Sequence, residues 1–197
     1  MAEPTDDALI ERIASGDREA FAELYRRHRS LVCRFAAHMC GSRTAAEDIV
    51  HEAFVAVIDS AVRYHPGRTD AKLWLLGIAR NHVRRARAVR QTSSLDDEER
   101  AEAPSLAVEC DPLADLERRR HIASLRRAIV GLPVRYREVV VLCDLHELSY
   151  ADAAAALGCA LGTVRSRLHR GRALLARRLC GDGQSQPCPL PVTRAIS

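Results

Sequence analysis

Four residues near the C-terminal end of this 197-residue chain have the types and spacing needed to read DNA. Arg165, Ser166, His169 and Arg170 are related by steps of three and four, so on a helix they share one exposed face. An arginine in that position can donate two hydrogen bonds to a guanine, while its neighbours hold phosphates. Arg167, Arg172, Arg177 and Arg178 extend the positive field, and no acidic residue lies between Ala153 and Gly181. Leu161, Val164, Leu168, Leu175 and Leu179 recur at helical spacing and are expected to bury. Upstream, Ser149 and Asp152 can cap a short alanine-rich helix, with Ala153 and Ala154 small enough for close approach and Gly158 as the turn. Together these are the parts of a helix-turn-helix.

A second constellation lies between Arg63 and Arg90. Tyr64 and Trp74 are set among Arg63, Arg68, Lys72, Arg80, Arg84 and Arg85. Single-stranded DNA is held by such a mixture, because phosphates need cations and unpaired bases need flat or polar pockets. Trp74 is expected in the core rather than stacked on a base. Further upstream, Glu47, Asp48 and Glu52 put carboxylates on an otherwise amphipathic helix; they either meet a basic partner surface or form a solvated face.

Other chemistries find little support. The seven cysteines are odd in number and contain no CxxC pair, so a disulfide framework is not expected. Cys33, His38 and Cys40 come nearest to metal-ligand spacing and are read as small residues of a helix; Cys180 and Cys188 lie in the tail. No nucleophile–base pair, phosphate loop or metal site stands out, so no catalysis and no cofactor are expected.

The elements that must position these residues read as helices throughout. Aromatic residues make up 4% of the chain, glycine and proline are scarce, and strand alternation is nearly absent. Asp6 or Asp7 is expected to cap a first helix that Gly16 stops, and Asp17 opens a second, ended by Gly41. Thr44 and Glu47 form a potential capping box for a third, to about Ser60, with Ile49, Ala53, Val57 and Ile58 inward. A fourth runs from near Asp70 to about Arg90. Asp111-Pro112 starts a fifth, carried by Leu113, Leu116, Ile122, Leu125 and Ile129 to Gly131. Pro133 opens the next, with Val139, Val140 and Leu142 in its stripe.

Charge divides the chain more sharply than its net +4 implies. Residues 63–90 carry 8 basic groups against 1 acidic, and residues 118–180 carry 13 against 4. Between them, residues 91–117 carry 1 basic against 9 acidic. Two basic blocks flanking an acidic connector indicate two polyanion-binding surfaces. The expected architecture is all-α: a helical domain over residues 1–90, a flexible acidic linker over 91–111, a helix-turn-helix domain over 112–180 and a disordered tail over 181–197. No run of 18 apolar residues exists and the N-terminus is acidic, so neither a membrane span nor a secretory signal is expected, and the protein is read as cytoplasmic.

Three segments carry a family resemblance: Ala46-Glu-Asp-Ile-Val-His-Glu-Ala-Phe54, Leu73-Trp-Leu-Leu-Gly-Ile-Ala-Arg-Asn81, and Leu132-Pro-Val-Arg-Tyr-Arg-Glu138 continuing through Gly162-Thr-Val-Arg-Ser-Arg-Leu-His-Arg170. Over roughly residues 8–180 the chain resembles the extracytoplasmic-function (ECF) sigma factors, promoter-specificity subunits of bacterial RNA polymerase. The resemblance implies that residues to about 90 bind core polymerase through Glu47, Asp48 and Glu52 and open the −10 element. The Tyr64–Asp70 loop and Asn81 would contact the extruded −10 base, with Arg68, Lys72, Arg80 and Arg84 on the strand; Pro66-Gly67 departs from the commoner form of that loop. Residues 112–180 would read the −35 element through Arg165, Ser166, His169 and Arg170. The 21-residue linker could span at most ~70 Å, nearly two DNA turns of roughly 34–36 Å. An anti-sigma factor is the further partner implied. A helix-turn-helix repressor, dimeric on a palindromic site, is the main rival reading, and a cysteine-based metal or redox sensor is a third.

Overall fold

The computed structural model describes residues 3–93 and 112–181, and every element in them is helical. The expected linker and tail fall almost wholly outside the described residues. The N-terminal group comprises α1 (Asp6–Ala14), α2 (Arg18–Cys40), α3 (Arg43–Ser60), a single 3₁₀ turn at Ala61–Arg63, and α4 (Ala71–Ser93). The C-terminal group comprises α5 (Pro112–Val130), α6 (Val134–Val140) with a π-helical turn at Val141–Leu145, α7 (Tyr150–Leu157) and α8 (Leu161–Gly181).

Helix ends follow local chemistry. Asp17 accepts from the backbone N–H groups of Glu19 and Ala20 at 2.9 and 3.1 Å, starting α2. Gly41 ends it in the left-handed conformation at φ 76°, and here a side chain is excluded twice over: a Cβ would lie 2.9 Å from Val130 of α5. Two expected caps are corrected. Thr5, not Asp6 or Asp7, caps α1, leaving both aspartates in the first turn where the helix dipole favours them. Ser42, not Thr44, caps α3: the residue after Gly41 is extended and its hydroxyl accepts from Ala45, while Glu47 pairs with Arg43.

In the N-terminal group α2 packs on α1, α3 and α4. Leu24, Val32, Phe35 and Met39 of α2 are buried with Ile49, Ala53, Phe54 and Val57 of α3 and Leu75, Leu76 and Val83 of α4. Tyr25 meets Phe54 edge-on, ring centroids 4.7 Å apart. Ile58, expected inward, is 50% exposed. On α5, Ile129 is buried, whereas Ile122 and Leu125 are exposed. The same apolar cluster continues into Ile129, Val139, Leu142, Ala153, Leu157 and Val164, so the two helical groups share one core.

Candidate nucleic-acid interface

The helix-turn-helix is built as its sequence directs. Ser149 caps α7 by accepting from Asp152 at 3.1 Å, and Gly158 turns the chain at φ 60°. Val164 and Leu168 of α8 are buried, Leu168 against Leu132 and Val140. Gly171 lets α8 lie directly on α6, because a Cβ there would stand 2.8 Å from Val140 and 3.4 Å from Tyr136. Arg172 reaches back with two guanidinium nitrogens to the Asp144 carboxylate, a bidentate bond that raises its pKa and ties α8 to the π-helical turn. Leu161, expected to bury, is 38% exposed at the first turn of α8.

This seating presents Arg165, Ser166, His169 and Arg170 together on the outer face of α8, all four exposed. Ser166 donates to the Thr163 carbonyl at 3.1 Å, which leaves its oxygen lone pairs outward as acceptors. The N-terminal half of α8 is therefore a rigid, cationic, solvent-facing edge.

The second basic region is arranged differently. His65-Pro66-Gly67-Arg68 forms a turn closed by the Arg68 N–H on the His65 carbonyl at 3.3 Å, with Gly67 at φ 75° as the third residue. Asp70 receives the Lys72 N–H at 2.8 Å and starts α4. Tyr64 is buried rather than presented: its hydroxyl lies 2.5 Å from Asp7 Oδ1 and 2.9 Å from the Thr69 carbonyl, and its ring sits 4.9 Å from Trp74. Burial, with Asp7 beside it, raises the phenol pKa, so Tyr64 stays neutral and supports the loop from behind. Trp74 is half-buried, in keeping with a core role. Arg68 is exposed beside an open cleft of about 320 Å³ between the start of α1 and this loop. Asn81 is exposed on α4 and Lys72 half-buried.

Arg80 and Arg84, also placed among the DNA-contacting residues, are not free. Arg80 Nε donates to Glu138 Oε1 at 2.9 Å; Arg84 donates to both carboxylate oxygens of Glu138, at 2.8 and 3.0 Å. Glu138 belongs to α6 in the other helical group and is fully buried. Its neighbour Arg137 is 2% exposed and donates to the Met39 carbonyl at the end of α2, at 2.5 Å, and to the Leu132 carbonyl at 2.9 Å. Burial, with Arg87 adding to it, pushes the Arg137 pKa down to about 10. The reading of the residues missed this pair. The signal was a charged dipeptide running into the apolar Val139-Val-Val-Leu142, where a solvated face is impossible.

The acidic residues of α3, Glu47, Asp48 and Glu52, are all exposed, Glu52 standing 4.0 Å from His82. They run into an apolar stripe, Val55, Ile58 and Val62, which is 45%, 50% and 74% exposed. That stripe was also missed; the signal was that α3 is apolar on more than one side, more than one core contact consumes. Among the described residues no group of His, Cys, Asp and Glu is placed to hold a metal ion, and burial pushes the Cys143 thiol up to about 11, which keeps it protonated. No helix among them is long and apolar enough to cross a membrane.

The structure thus pairs a helix-turn-helix bearing an exposed cationic edge with a helical unit that carries a basic aromatic segment and an exposed acidic–apolar face on α3. Known proteins agree. Residues 24–93 match Sigma-70 region 2, and residues 122–175 match Sigma-70, region 4. The ECF RNA polymerase sigma factor SigE of Mycolicibacterium smegmatis is 38% identical over 177 residues, 86% of this chain and 66% of that protein. The RNA polymerase sigma factor CarQ of Myxococcus xanthus is 35% identical over 174 residues, 88% of this chain and 96% of that one. A sigma factor of Bartonella quintana, RpoE, solved with the anti-sigma factor NepR, superposes with a TM-score of 0.65 at 26% identity, covering 84% of this chain and 99% of its own. The chain belongs to the ECF sigma factors of RNA polymerase. Its function is promoter-specific transcription initiation through that polymerase.

Proposed function

We propose how the work is divided within the chain. Residues 112–180 read the duplex −35 element through the exposed edge of α8, with Arg165 and Arg170 donating to base edges or flanking phosphates and Ser166 and His169 beside them. Residues 1–90 bind core polymerase through α3, where Glu47, Asp48 and Glu52 meet a basic surface and Val55, Ile58 and Val62 extend the contact. The Tyr64–Asp70 loop, the cleft beside it and Asn81 receive the extruded −10 base. Lys72, Arg68, Arg80 and Arg84 hold the strand, and Tyr64 acts indirectly by fixing the loop. A flipped base costs a few kcal/mol of stacking, which such a pocket must offset. The bond-forming chemistry is the polymerase's. The relative solved with an anti-sigma factor supports an anti-sigma partner here as well.

The observation that carries this division is the co-exposure of Arg165, Ser166, His169 and Arg170 on one face of a helix held down by Gly171 and Arg172. It is tested by transcription in vitro with purified core polymerase on genomic fragments. Initiation from asymmetric two-box promoters is expected. A 2:1 complex on a palindrome without polymerase would instead establish the repressor reading.

A further inference from the structure

We infer that Leu161, at the first turn of α8, is a further specificity residue of the helix-turn-helix, and that it reads the C5-methyl group of a thymine in the −35 element. The inference rests on the reading of α8 as the helix that enters the major groove. Among the described residues Leu161 is the one large apolar side chain of α8 that stands exposed, at 38%. Val164 and Leu168, three and seven residues on along the same stripe, are 0% and 2% exposed. Burial ends within one turn, and it ends at the N-terminal tip of the reading helix.

The surroundings of Leu161 narrow what it can meet. Ala160 and Gly162 on either side are exposed, and nothing lies within 4 Å of where a Cβ on Gly162 would be. The Ala160 carbonyl accepts from the N–H groups of Thr163 and Val164 at 2.9 and 3.2 Å, so the direction of this turn is fixed. Side chains on a helix lean toward its N-terminus, and Leu161 accordingly projects toward whatever the tip of α8 enters. Ala160-Leu161-Gly162 carries no side-chain hydrogen-bond donor or acceptor. It cannot read the polar edge of a base pair. The apolar feature that the major groove offers is the thymine methyl, which the other three bases lack.

A leucine at this point complements the polar edge instead of repeating it. Leu161 stands four residues before Arg165, about 6 Å along the helix axis, while base pairs stack ~3.4 Å apart. The thymine it reads therefore lies within about two base pairs of the position that Arg165 reads. Arginine donors favour guanine, so the two residues together select a guanine close to a thymine, a pattern that neither specifies alone. A leucine that only packed the core would act differently: its removal would weaken binding to every sequence alike. A methyl reader changes preference at one position.

The test uses holoenzyme assembled from core polymerase and the full-length chain, with a labelled duplex promoter mapped by transcription in vitro. Each −35 thymine is replaced in turn by deoxyuridine, which removes the C5-methyl and keeps every hydrogen-bonding group. Fluorescence anisotropy reads the affinity. With the wild-type chain, one replacement close to the Arg165 position should weaken binding about fourfold, the effect of burying a single methyl. With Leu161→Ala the thymine promoter should bind more weakly, and the same replacement should have no further effect. Leu161→Gln keeps the side chain's length and removes its apolar end; it should behave in the same way, and it decides alone if Leu161→Ala fails to fold. The assignment is overturned if no −35 thymine responds in the wild-type chain. It is overturned equally if the variants lose affinity for every sequence and keep the methyl response, which would make Leu161 a packing residue. The reading of α8 as the −35 helix falls separately, if Arg165→Ala and Arg170→Ala change preference at no −35 position; the deoxyuridine comparison then decides Leu161 by itself.

Discussion

The two basic regions of this sigma factor have similar compositions and opposite states. On α8 the cations of the reading edge stand in solvent, and the helix is held by contacts on its other side, at Val164, Leu168, Gly171 and Arg172. On α4, Arg80 and Arg84 are tied to a buried carboxylate from the other half of the molecule. A tally of arginines cannot tell these apart. What separates them is whether an anion from the same chain reaches the guanidinium first.

The sharpest way to break the contrast is at the free surface. Arg165→Ala or Arg170→Ala should cost about 1–3 kcal/mol at a −35 base contact and relax preference at that position. Measured against a panel of single-base variants of the −35 box, an equal loss on all sequences would reduce that residue to a phosphate anchor. A smaller effect is expected at Asn81, exposed on α4 beside the occupied cations. Asn81→Ala should slow promoter opening severalfold while leaving polymerase binding unchanged. The comparison that checks it uses one promoter with a duplex and one with a premelted −10 element; rescue on the premelted template assigns Asn81 to strand opening.

The smallest effect sharpens the contrast from the side of the shared core. His146 sits between the groups, its ring centroid 6.1 Å from Phe35 and 6.5 Å from His38, with Nε2 buried and unpartnered. Burial, with His38, Arg34 and Lys72 adding to it, pushes its pKa down to about 4 from an ordinary 6.5. Between those values the unfolded chain carries a proton that the folded chain rejects, so stability is full above about pH 6.5 and declines as the pH falls toward 4. His38 is shifted down as well, by burial and by Arg126 and Arg34, and acts in the same direction. The melting temperature should fall by a few degrees between about pH 7 and about pH 5. His146→Gln should flatten part of that slope; an unchanged slope would place its origin elsewhere.

Much of the architecture was legible because helix ends are decided locally. Asp17 and Ser149 act through side-chain oxygens on the adjoining backbone, Gly41 and Gly158 through left-handed backbones, and each sits where its type directed. Thr44 misled because Ser42, two residues earlier, already follows a left-handed glycine and captures the free N–H of Ala45. Ile58 and Leu161 misled for another reason. Periodicity marks a side chain as apolar but cannot say whether its burial partner is in the same molecule, and both lie on surfaces read here as docking or DNA-facing. The site divides the same way. The α8 edge follows from spacing on one helix, whereas the engagement of Arg80 and Arg84 with Glu138 joins positions 58 and 54 residues apart. Only the fold brings those together. Tyr64 belongs to the same class: its neighbours in sequence are cations, while its partner in space is Asp7, 57 residues away.

Gly171 has a mechanical corollary. With no side chain between them at that point, α8 and α6 pack as one layer whose outer surface carries Arg165, Ser166, His169 and Arg170 and whose α6 also bears Arg137 and Glu138. Any displacement of this layer then carries the exposed α8 edge with it as cargo. A substitution where the two halves meet would then leave the mutual spacing of Arg165, Ser166, His169 and Arg170 unaltered.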